Sequence, residues 1–312
     1  MPLTILAITG GIGGAKLALG LTHFLTPNEL IFLANTGDDF EHLGLYISPD
    51  IDTLIYTLAG VVDPDRGWGR SEETWHCLDT LAYLGEPSWF QLGDQDLAVH
   101  IARTHALKRG KNLSEITDRI RIALGVKYRI LPVSDDPIRT FLHTSIGRLS
   151  FQEYFVKKRC EPTVNQIEYE HSNACLNPRL DLSELEGVII CPSNPYLSIG
   201  PMLAIDSLFE FLQSTRIPVV AVSPVVAGKA IKGPTAKIMQ ELGVAVSAIA
   251  VARHYKELIN GFIVDESDID SVPEIESMDI SVSAYPSVMT TLQDRIKLAR
   301  HSVNFVRSLS QQ

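Results

Sequence analysis

Carboxylates grouped around one predicted sheet edge are the residues of this sequence best suited to chemistry. Asp38 and Asp39 follow the second predicted strand, and Asp50 and Asp52 lie where a proline opens a helical pattern in "SPDIDTLIY". Each acid alone can cap a turn or a helix N-terminus and needs no further function. Four such acids near a glycine-rich turn that could hold phosphate predict an oxygen-ligand site for Mg²⁺. This ion usually takes one or two protein carboxylates beside phosphate and water.

A second Asp-x-Asp pair opens the helical pattern of "GDQDLAVH", at Asp94 and Asp96. Asp96 and His100 are four residues apart and therefore share one face of the predicted helix. The acid can then orient the imidazole as a general base. A capped helix that carries a surface histidine is the alternative interpretation.

A glycine-rich turn joins the first predicted strand to the first predicted helix in "TGGIGGAKL", with Gly10, Gly11, Gly13 and Gly14. Such a turn can hold phosphate on backbone N–H groups at a helix N-terminus, or it can let two elements pack closely. It is not a Walker A loop, because Lys16 is not followed by a hydroxyl residue. It also departs from the dinucleotide fingerprint, since Lys16 replaces the third glycine and Asn35 stands where an acidic ribose ligand is expected.

Three further loops carry groups that suit a planar ring or an anion. The first, "DPDRGWGRSEETWH", places Trp68 and a second tryptophan beside Arg66 and Arg70. The other two, "CPSNPYLSIGP" and "AVSPVVAGKAIKGP", follow predicted strands, and ligands of open α/β sheets bind outside the carboxyl ends of the strands. We therefore predict one composite site, although polar turns would explain any single loop; the later two loops contribute Ser193, Asn194, Ser198, Gly200, Lys229 and Lys232.

The order of apolar runs predicts an α/β fold with a Rossmann-like, mainly parallel sheet and helices on both faces. Strand 3–9, helix 15–25 and strand 30–34 make a βαβ opening, and continuous apolar runs predict strands at 128–134, 187–194 and 217–228. Helical periodicity covers 53–60, 72–84, 95–109, 113–124, 200–213 and 287–309. We expect a single domain over 1–312, with a helical cap at 53–124 and a hairpin insertion at 139–169.

The composition argues against several classes of protein. The 312 residues are 45% hydrophobic, and the net charge of −10 with a pI near 5.4 argues against a nucleic-acid partner. The four cysteines lie far apart, so neither a zinc site nor a disulfide framework is predicted. No run reaches the roughly 18 apolar residues of a membrane span, and no targeting pattern precedes the first strand. We therefore expect a cytoplasmic protein that does not bind membranes.

Ten sequence blocks, read in order, resemble the 2-phospho-L-lactate transferase family of coenzyme F420 biosynthesis. They cover residues 5 to 290, nearly the whole chain, and their order is far more specific than any one block. The blocks are "GGIGGAKLALGL", "NTGDD", "SPDIDTLIYTLAG", "DPDRGWG", "ETWH", "LGDQDLAVH", "LPVSDDPIRT", "FQEYFVKKR", "PSNPYLSIGP" and "VSPVVAGKAIKGP".

The resemblance implies a magnesium-dependent transferase. Its donor would be a guanosine-diphosphate-activated 2-phospholactate, or in bacterial relatives a phosphoenolpyruvate-derived equivalent. Its acceptor would be the 5-deazaflavin Fo, whose terminal ribityl hydroxyl attacks the diphosphate and releases GMP. A homodimer would agree with the family.

Carried onto this chain, the resemblance implies the roles of individual residues. Asp50 and Asp52 would bind the metal, and the catalytic set would be Asp50, Asp52, Asp94, Asp96 and His100. The substrates would be held by Gly10, Gly11, Gly13, Gly14, Asn35, Trp68, Arg70, Ser193, Asn194, Gly200, Ser223 and Lys229. One position departs from the family pattern, since Gln95 stands where the family commonly has arginine. If that arginine neutralises phosphate, Arg66, Arg70 or Lys229 must take over here.

Two other functions fit part of the sequence. A regulatory nucleotide-sugar-binding protein of the related gluconeogenesis-factor branch would share the glycine turn and the Ser-Asn-Pro loop, but the tryptophan loop and the acids at 94 and 96 disfavour it. A Rossmann dehydrogenase is a weaker alternative, because the dinucleotide fingerprint is incomplete.

Overall fold

The computed structural model describes residues 4–171, 173–231 and 233–311. Its strands are β1 (Thr4–Thr9), β2 (Leu30–Ala34), β3 (Phe40–His42), β4 (Leu45–Ile47), β5 (Arg129–Pro132), β6 (Arg139–Thr144), β7 (Gly147–Ser150), β8 (Val164–Glu170), β9 (Leu185–Ile190), β10 (Val219–Val222), β11 (Val225–Val226), β12 (Lys229–Ala230), β13 (Gly261–Val264) and β14 (Ser281–Ala284). Seven of them form a parallel sheet in the order β14-β13-β10-β9-β1-β2-β5. The predicted α/β fold with a mainly parallel sheet is therefore confirmed.

Helices cover both faces of this sheet. They are α1 (Gly11–Thr22), α2 (Pro49–Ala59), α3 (His76–Tyr83), α4 (Asp94–Lys108), α5 (Leu113–Ala123), α6 (Gly200–Leu203), α7 (Asp206–Ser214), α8 (Thr235–Glu241), α9 (Ala248–Tyr255), α10 (Val272–Glu276) and α11 (Leu292–Leu309). Alternate residues of each strand face opposite layers, because side chains on a strand alternate. Thus Leu6 and Ile8 pack with α7 and α9, whereas Ile5 and Ala7 pack with α1, α2, α5 and α11.

Segment 139–170 adds a small antiparallel sheet in the order β7-β6-β8. The β6 and β7 strands form the hairpin expected within 139–169. A π-helical turn, Glu153–Lys157, then leads toward β8. The buried Leu142, Tyr154 and Val164 pack with Leu197 and Ile238, so this insertion is fixed against the main body.

The sheet changes its direction of growth between β1 and β9. From β1 the chain adds β2 and then β5 on one side, and later β9 lies on the other side of β1, followed outward by β10, β13 and β14. The loops that leave the carboxyl ends of β1 and β9 therefore diverge and open a crevice, which is the usual ligand position in open α/β sheets.

Several predicted helix bounds were wrong, for local reasons. Helix α1 begins at Gly11 rather than at residue 15, so most of the glycine turn lies inside its first turn. The helix predicted over 200–213 is interrupted at residues 204 and 205, and the one predicted over 287–309 begins only at Leu292. In the last case Thr291 and Asp294 form a capping box, and Ser287 and Met289 alternate with exposed neighbours in extended chain.

Candidate active site

A cleft of about 550 Å³ lies at the crevice between the loops after β1 and β9. The N-terminal turns of α1 and α2, the start of α4, and the insertion at 151–159 complete its walls. Each wall therefore starts at the end of a strand or the N-terminus of a helix. Sequence reasoning predicted this composite character from the separate polar loops.

The glycine turn is held by close packing as well as by hydrogen bonds. The Gly10 N–H donates to Ser193 Oγ at 3.1 Å, and the Ser193 hydroxyl donates to the Gly10 carbonyl at 2.7 Å. A Cβ on Gly13 would collide with the carbonyl oxygen of Pro192, and one on Gly14 would lie 2.6 Å from Ser193 Oγ. Close packing therefore accounts for the glycines at 13 and 14, and Gly10, Gly11 and Gly13 also line the cleft at the N-terminus of α1.

Two buried carboxylates share one amide beside this turn. Asn35 donates from Nδ2 to Asp38 Oδ1 at 3.0 Å and to Asp50 Oδ2 at 2.9 Å. Asp38 and Asp50 both line the cleft, and Asn35 behind them is fully buried. Burial raises the pKa of Asp50 to about 6, against hydrogen bonds from Asn35 and the Gly11 N–H that lower it. Burial, with the charges of Asp50 and Asp39, raises the pKa of Asp38 well above its ordinary value.

Asp52 has different surroundings from Asp50, although the two residues lie in the same helical turn. Both of its carboxylate oxygens accept hydrogen bonds from the Arg103 guanidinium, one of them at 3.0 Å. Arg103 is fully buried and also contacts His100, with Nη1 to Nδ1 at 3.0 Å. The carboxylate of Asp52 is therefore neutralised by a protein cation, whereas that of Asp50 accepts hydrogen bonds from the neutral Asn35 amide and the Gly11 N–H.

His100 and Asp96 face the cleft together. His100 Nε2 lies 3.3 Å from Asp96 Oδ1, and the Tyr56 hydroxyl donates to the same oxygen at 2.6 Å. Burial alone would raise the pKa of Asp96, but His100 and the Tyr56 hydroxyl hold this pKa below its ordinary value. The carboxylate is thereby kept as an anion that can accept hydrogen bonds from a substrate.

Asp94 lies outside the cleft wall and caps a helix. Its carboxylate accepts the Thr74 hydroxyl and the backbone N–H groups of His76 and Cys77 at the start of α3. In return, Glu73 accepts the N–H groups of Gln95 and Asp96 at the start of α4, at 2.9 and 2.8 Å. The alternative interpretation of this motif, a helix cap without a catalytic role, thus describes the observed contacts of Asp94.

Aromatic rings form part of the wall of the cleft. Trp68, Trp89, Phe90, Phe151 and Phe155 all line it. Phe151 and Phe155 stack with ring centroids 5.4 Å apart, and Trp89 and Phe90 pack edge to face at 5.8 Å. Sequence reasoning predicted Trp68 and did not assign the other four rings to the site.

Several predicted substrate-binding residues lie behind or away from the cleft wall. Arg70 lies over the Tyr56 ring at 5.8 Å, and Gly200 packs against Tyr169. The Ser223 hydroxyl donates to the Val225 carbonyl at 2.8 Å, and Lys229 is exposed on β12. Asn194 lines the cleft, but its Oδ1 caps the turn at 195–199. Lys232 lies outside the described residues.

Three cations that sequence reasoning did not assign line the cleft instead: Lys16, Lys157 and Arg159. Gln95 points away, with Nε2 donating to the Glu72 carbonyl at 3.2 Å. Arg66 is paired with Asp63 at 2.7 Å. The block "FQEYFVKKR" contained the signal for Lys157 and Arg159, because it brings basic and aromatic residues together.

The donor set on the Asp38 and Asp50 side fits a magnesium ion. Two buried carboxylates share one neutral amide. A cation there would relieve the burial that raises both pKa values and the charge repulsion that also raises the pKa of Asp38. Across residues 4–171, 173–231 and 233–311, no group of three or more His, Cys, Asp or Glu is arranged to hold a metal ion. Magnesium that shares ligands with phosphate needs only one or two carboxylates.

The model of the family described as 2-phospho-L-lactate transferase CofD matches residues 5–288. The chain belongs to this family. It is 34% identical to a phosphoenolpyruvate transferase of Streptomyces griseus, over 98% of this chain and 99% of the relative. It is likewise 34% identical to the 2-phospho-L-lactate transferase of Methanocaldococcus jannaschii, over 99% of this chain and 100% of the relative.

Among solved structures, the fold is similar to that of a UPF0052 family member from Bacillus halodurans. The TM-score is 0.64 at 14% identity, over 97% of this chain and 99% of that chain. This likeness confirms the α/β fold. The family match shows that the chain is a transferase of the CofD type, as its sequence blocks indicate.

Proposed function

We propose that the protein transfers a 2-phospholactyl or phosphoenolpyruvyl group from a guanosine-diphosphate-activated donor to the terminal ribityl hydroxyl of the 5-deazaflavin Fo. The carrying observation is one cleft that joins the buried carboxylates of Asp38 and Asp50, a helix N-terminus and a group of aromatic rings. The names of the relatives support either acid as the transferred group, because a phosphoenolpyruvate transferase and a 2-phospho-L-lactate transferase both match over almost the whole chain. The homodimer and the cytoplasmic location stay predictions.

The donor's phosphates are assigned to the N-terminus of α1. Backbone N–H groups at the start of a helix have no intrahelical partner, and the helix dipole favours anions there. Lys16, Lys157 and Arg159 add positive charge to the same cleft. The guanosine part would then lie along the loops after β9 and β10, where Ser193, Ser198 and Pro224 form the wall.

Magnesium, which we place at Asp38 and Asp50, would neutralise the diphosphate oxygens. The two carboxylates would face the ion, and the buried Asn35 amide holds both of them in position by hydrogen bonds. Asp52 is left as the counter-ion of Arg103 rather than as a ligand. This assignment keeps Asp50 from the sequence prediction and replaces Asp52 by Asp38.

The acceptor is assigned to the aromatic side, with its hydroxyl near Asp96. The hydroxyl oxygen would attack the phosphorus that carries the acid, the bond from phosphorus to the GMP oxygen would break, and GMP would leave. The hydroxyl proton passes to a cleft carboxylate or to solvent. Phosphoryl transfer needs in-line positioning and charge neutralisation more than a strong base, so an ionised Asp96 that orients the hydroxyl is sufficient.

GMP release tests the proposal directly. We expect release from either donor only when Fo and Mg²⁺ are both present, and loss of release on chelation with EDTA. Asp50→Asn should reduce the rate at least about a hundredfold, since removal of one charge-stabilising group commonly costs ~10²–10³ in kcat. Asp206→Asn is the matched control, because Asp206 is also in the first turn of a helix but is exposed and is not among the residues that line the cleft. Magnesium-independent release, or equal rates for the two variants, would refute the assignment.

A further inference from the structure

Arg103 is a wholly buried guanidinium next to the cleft. It is fully inaccessible to solvent, and charged side chains are rarely buried in this way unless they are paired. Its two Nη atoms contact both oxygens of Asp52, and Nη1 is also 3.0 Å from His100 Nδ1 and 3.5 Å from the Tyr46 carbonyl oxygen. The guanidinium therefore holds a carboxylate and an imidazole in fixed positions relative to each other.

The contact between Arg103 and His100 bears on which nitrogen of His100 carries the proton. A guanidinium has only donors and does not lose its proton in proteins, so the imidazole nitrogen facing it must accept. Nδ1 is consequently unprotonated, and in the neutral ring the proton is on Nε2. A general base would instead present an unprotonated nitrogen to the substrate. The contact with Arg103 therefore argues against the role that the Asp96 and His100 spacing predicted.

The Nε2–H group of His100 faces the cleft beside Asp96. Nε2 is 3.3 Å from Asp96 Oδ1, yet it has no aligned hydrogen-bond partner among the described residues, although it is buried. Both residues line the cleft. The His100 N–H donor and the Asp96 carboxylate acceptor lie side by side. A hydroxyl group matches this pair, because it can accept a hydrogen bond from His100 and donate one to Asp96.

We propose that Arg103 is a positioning residue that holds His100 in the Nε2–H tautomer, so that His100 and Asp96 together bind a hydroxyl of a polyhydroxylated substrate. The identification of that substrate as the ribityl acceptor rests on the proposed function. The tautomer of His100 is independent of the proposed function. Asp52 completes the arrangement as the counter-ion that keeps the buried guanidinium in place.

Nuclear magnetic resonance of protein labelled with ¹⁵N-histidine tests the tautomer without any substrate. Long-range ¹H–¹⁵N correlations distinguish protonated from unprotonated ring nitrogens, and the His100→Gln variant identifies the resonances of His100 among the nine histidines. We expect an unprotonated Nδ1 and a protonated Nε2 in the wild-type chain. A proton on Nδ1, alone or on both nitrogens, would overturn the proposal. This result stands whether or not the protein transfers phospho groups.

A comparison of two His100 variants tests the donor role. Glutamine can place an N–H near the position of Nε2 but cannot act as a general base, whereas phenylalanine keeps only the ring shape. We expect His100→Gln to retain kcat within about tenfold and to raise KM for the acceptor, and His100→Phe to raise KM by a further tenfold or more. A fall of kcat by a hundredfold or more in both variants would indicate a base and contradict the proposal.

The Arg103→Lys variant tests whether the guanidinium determines the tautomer of His100. Lysine keeps the charge but cannot hold Asp52 and His100 in one planar fork. In a folded Arg103→Lys protein, judged by circular dichroism, we expect His100 to populate both tautomers. An unchanged pure Nε2–H signal would show that Arg103 does not set the tautomer. If this variant does not fold, the wild-type spectrum alone decides.

Discussion

At the scale of single residues, neighbouring acids of one sequence motif have separate tasks. Asp50 lies on the cleft wall and accepts a hydrogen bond from the neutral Asn35 amide, while Asp52, two positions later, is paired with the buried Arg103. Asp96 faces the cleft, and Asp94 caps α3. The sequence motifs identified these four carboxylates as candidates. Only the tertiary structure shows which of them face the cleft and which bind other parts of the protein.

A substitution at Gly13 tests the close packing of the glycine turn. In Gly13→Ala the new Cβ would collide with the Pro192 carbonyl oxygen, so the loop after β9 must move away from α1. We expect a loss of about 1–3 kcal/mol in the free energy of unfolding. We also expect KM for the guanosine donor to rise about tenfold or more, because the displaced loop forms the cleft wall. Chemical denaturation and steady-state kinetics measure the two effects.

Gly44→Ala is the control for this substitution. Gly44 has a φ of +71° in the turn between β3 and β4 and no atom near its missing Cβ. An alanine there costs about 1 kcal/mol through backbone strain alone, and we expect unchanged KM and kcat. Equal kinetic effects of the two substitutions would contradict a specific role for the Gly13 packing.

Sequence reasoning reached part of the candidate site. It found Gly10, Asp50, Asp96 and Ser193, because these residues belong to recognisable helix and strand ends. It missed Arg103, although the spacing Asp96, His100, Arg103 places all three on one helical face. Lys157 and Arg159 belong to the block "FQEYFVKKR", where basic and aromatic residues together are a signal, but only the tertiary fold of the insertion brings them to the cleft.

At the scale of secondary structure, α3 and α4 cap each other. Helix α3 has no buried residue, so it lacks the apolar face that holds most helices in place. Asp94 accepts N–H groups at the start of α3, and Glu73 accepts N–H groups at the start of α4. The segment that carries Trp68 and Trp89 is therefore attached to the body partly through this exchange.

Hydrogen exchange followed by mass spectrometry tests the reciprocal caps. We expect Asp94→Asn to speed amide exchange in α3, and Glu73→Gln to speed it at the start of α4, because a neutral amide is a weaker acceptor for helix N–H groups than a carboxylate. Asp294→Asn, in the capping box of α11, is the control and should speed exchange in that helix alone. Unchanged exchange in α3 for Asp94→Asn would show that its carboxylate does not hold the helix.

Some elements were readable in the sequence and others were not. The βαβ opening and the Pro49 start of α2 follow from strong local signals, and the helix bounds at α4 and α5 differ by one residue from the prediction. Strands β13 and β14 were missed, because "GFIV" is too short to distinguish from a buried turn of helix and "SVSA" is half-exposed at the sheet edge. The Thr291 capping box was present in the sequence and would have corrected the start of α11.

At the scale of the whole molecule, the cleft needs both halves of the chain. The glycine turn and the acids come from the first 100 residues, and the loops after β9 and β10 come from beyond residue 190. They meet because the sheet changes its direction of growth at β1 and β9. None of the helices in the part of the chain that the structure describes is long and apolar enough to cross a membrane. The strand order thus explains how residues from distant parts of the chain line one cleft.

The mass of the product formed in a competition is the most direct test of the central claim, that this cleft joins a guanosine-activated acid to a deazaflavin hydroxyl. The protein is incubated with Fo, Mg²⁺ and equal amounts of the 2-phospholactate and phosphoenolpyruvate donors, and the products are analysed by mass spectrometry. The account predicts Fo carrying one acid through a phosphodiester, with one GMP released for each product. Fo recovered unchanged while the donors persist, or an adduct that retains the guanosine, would contradict it.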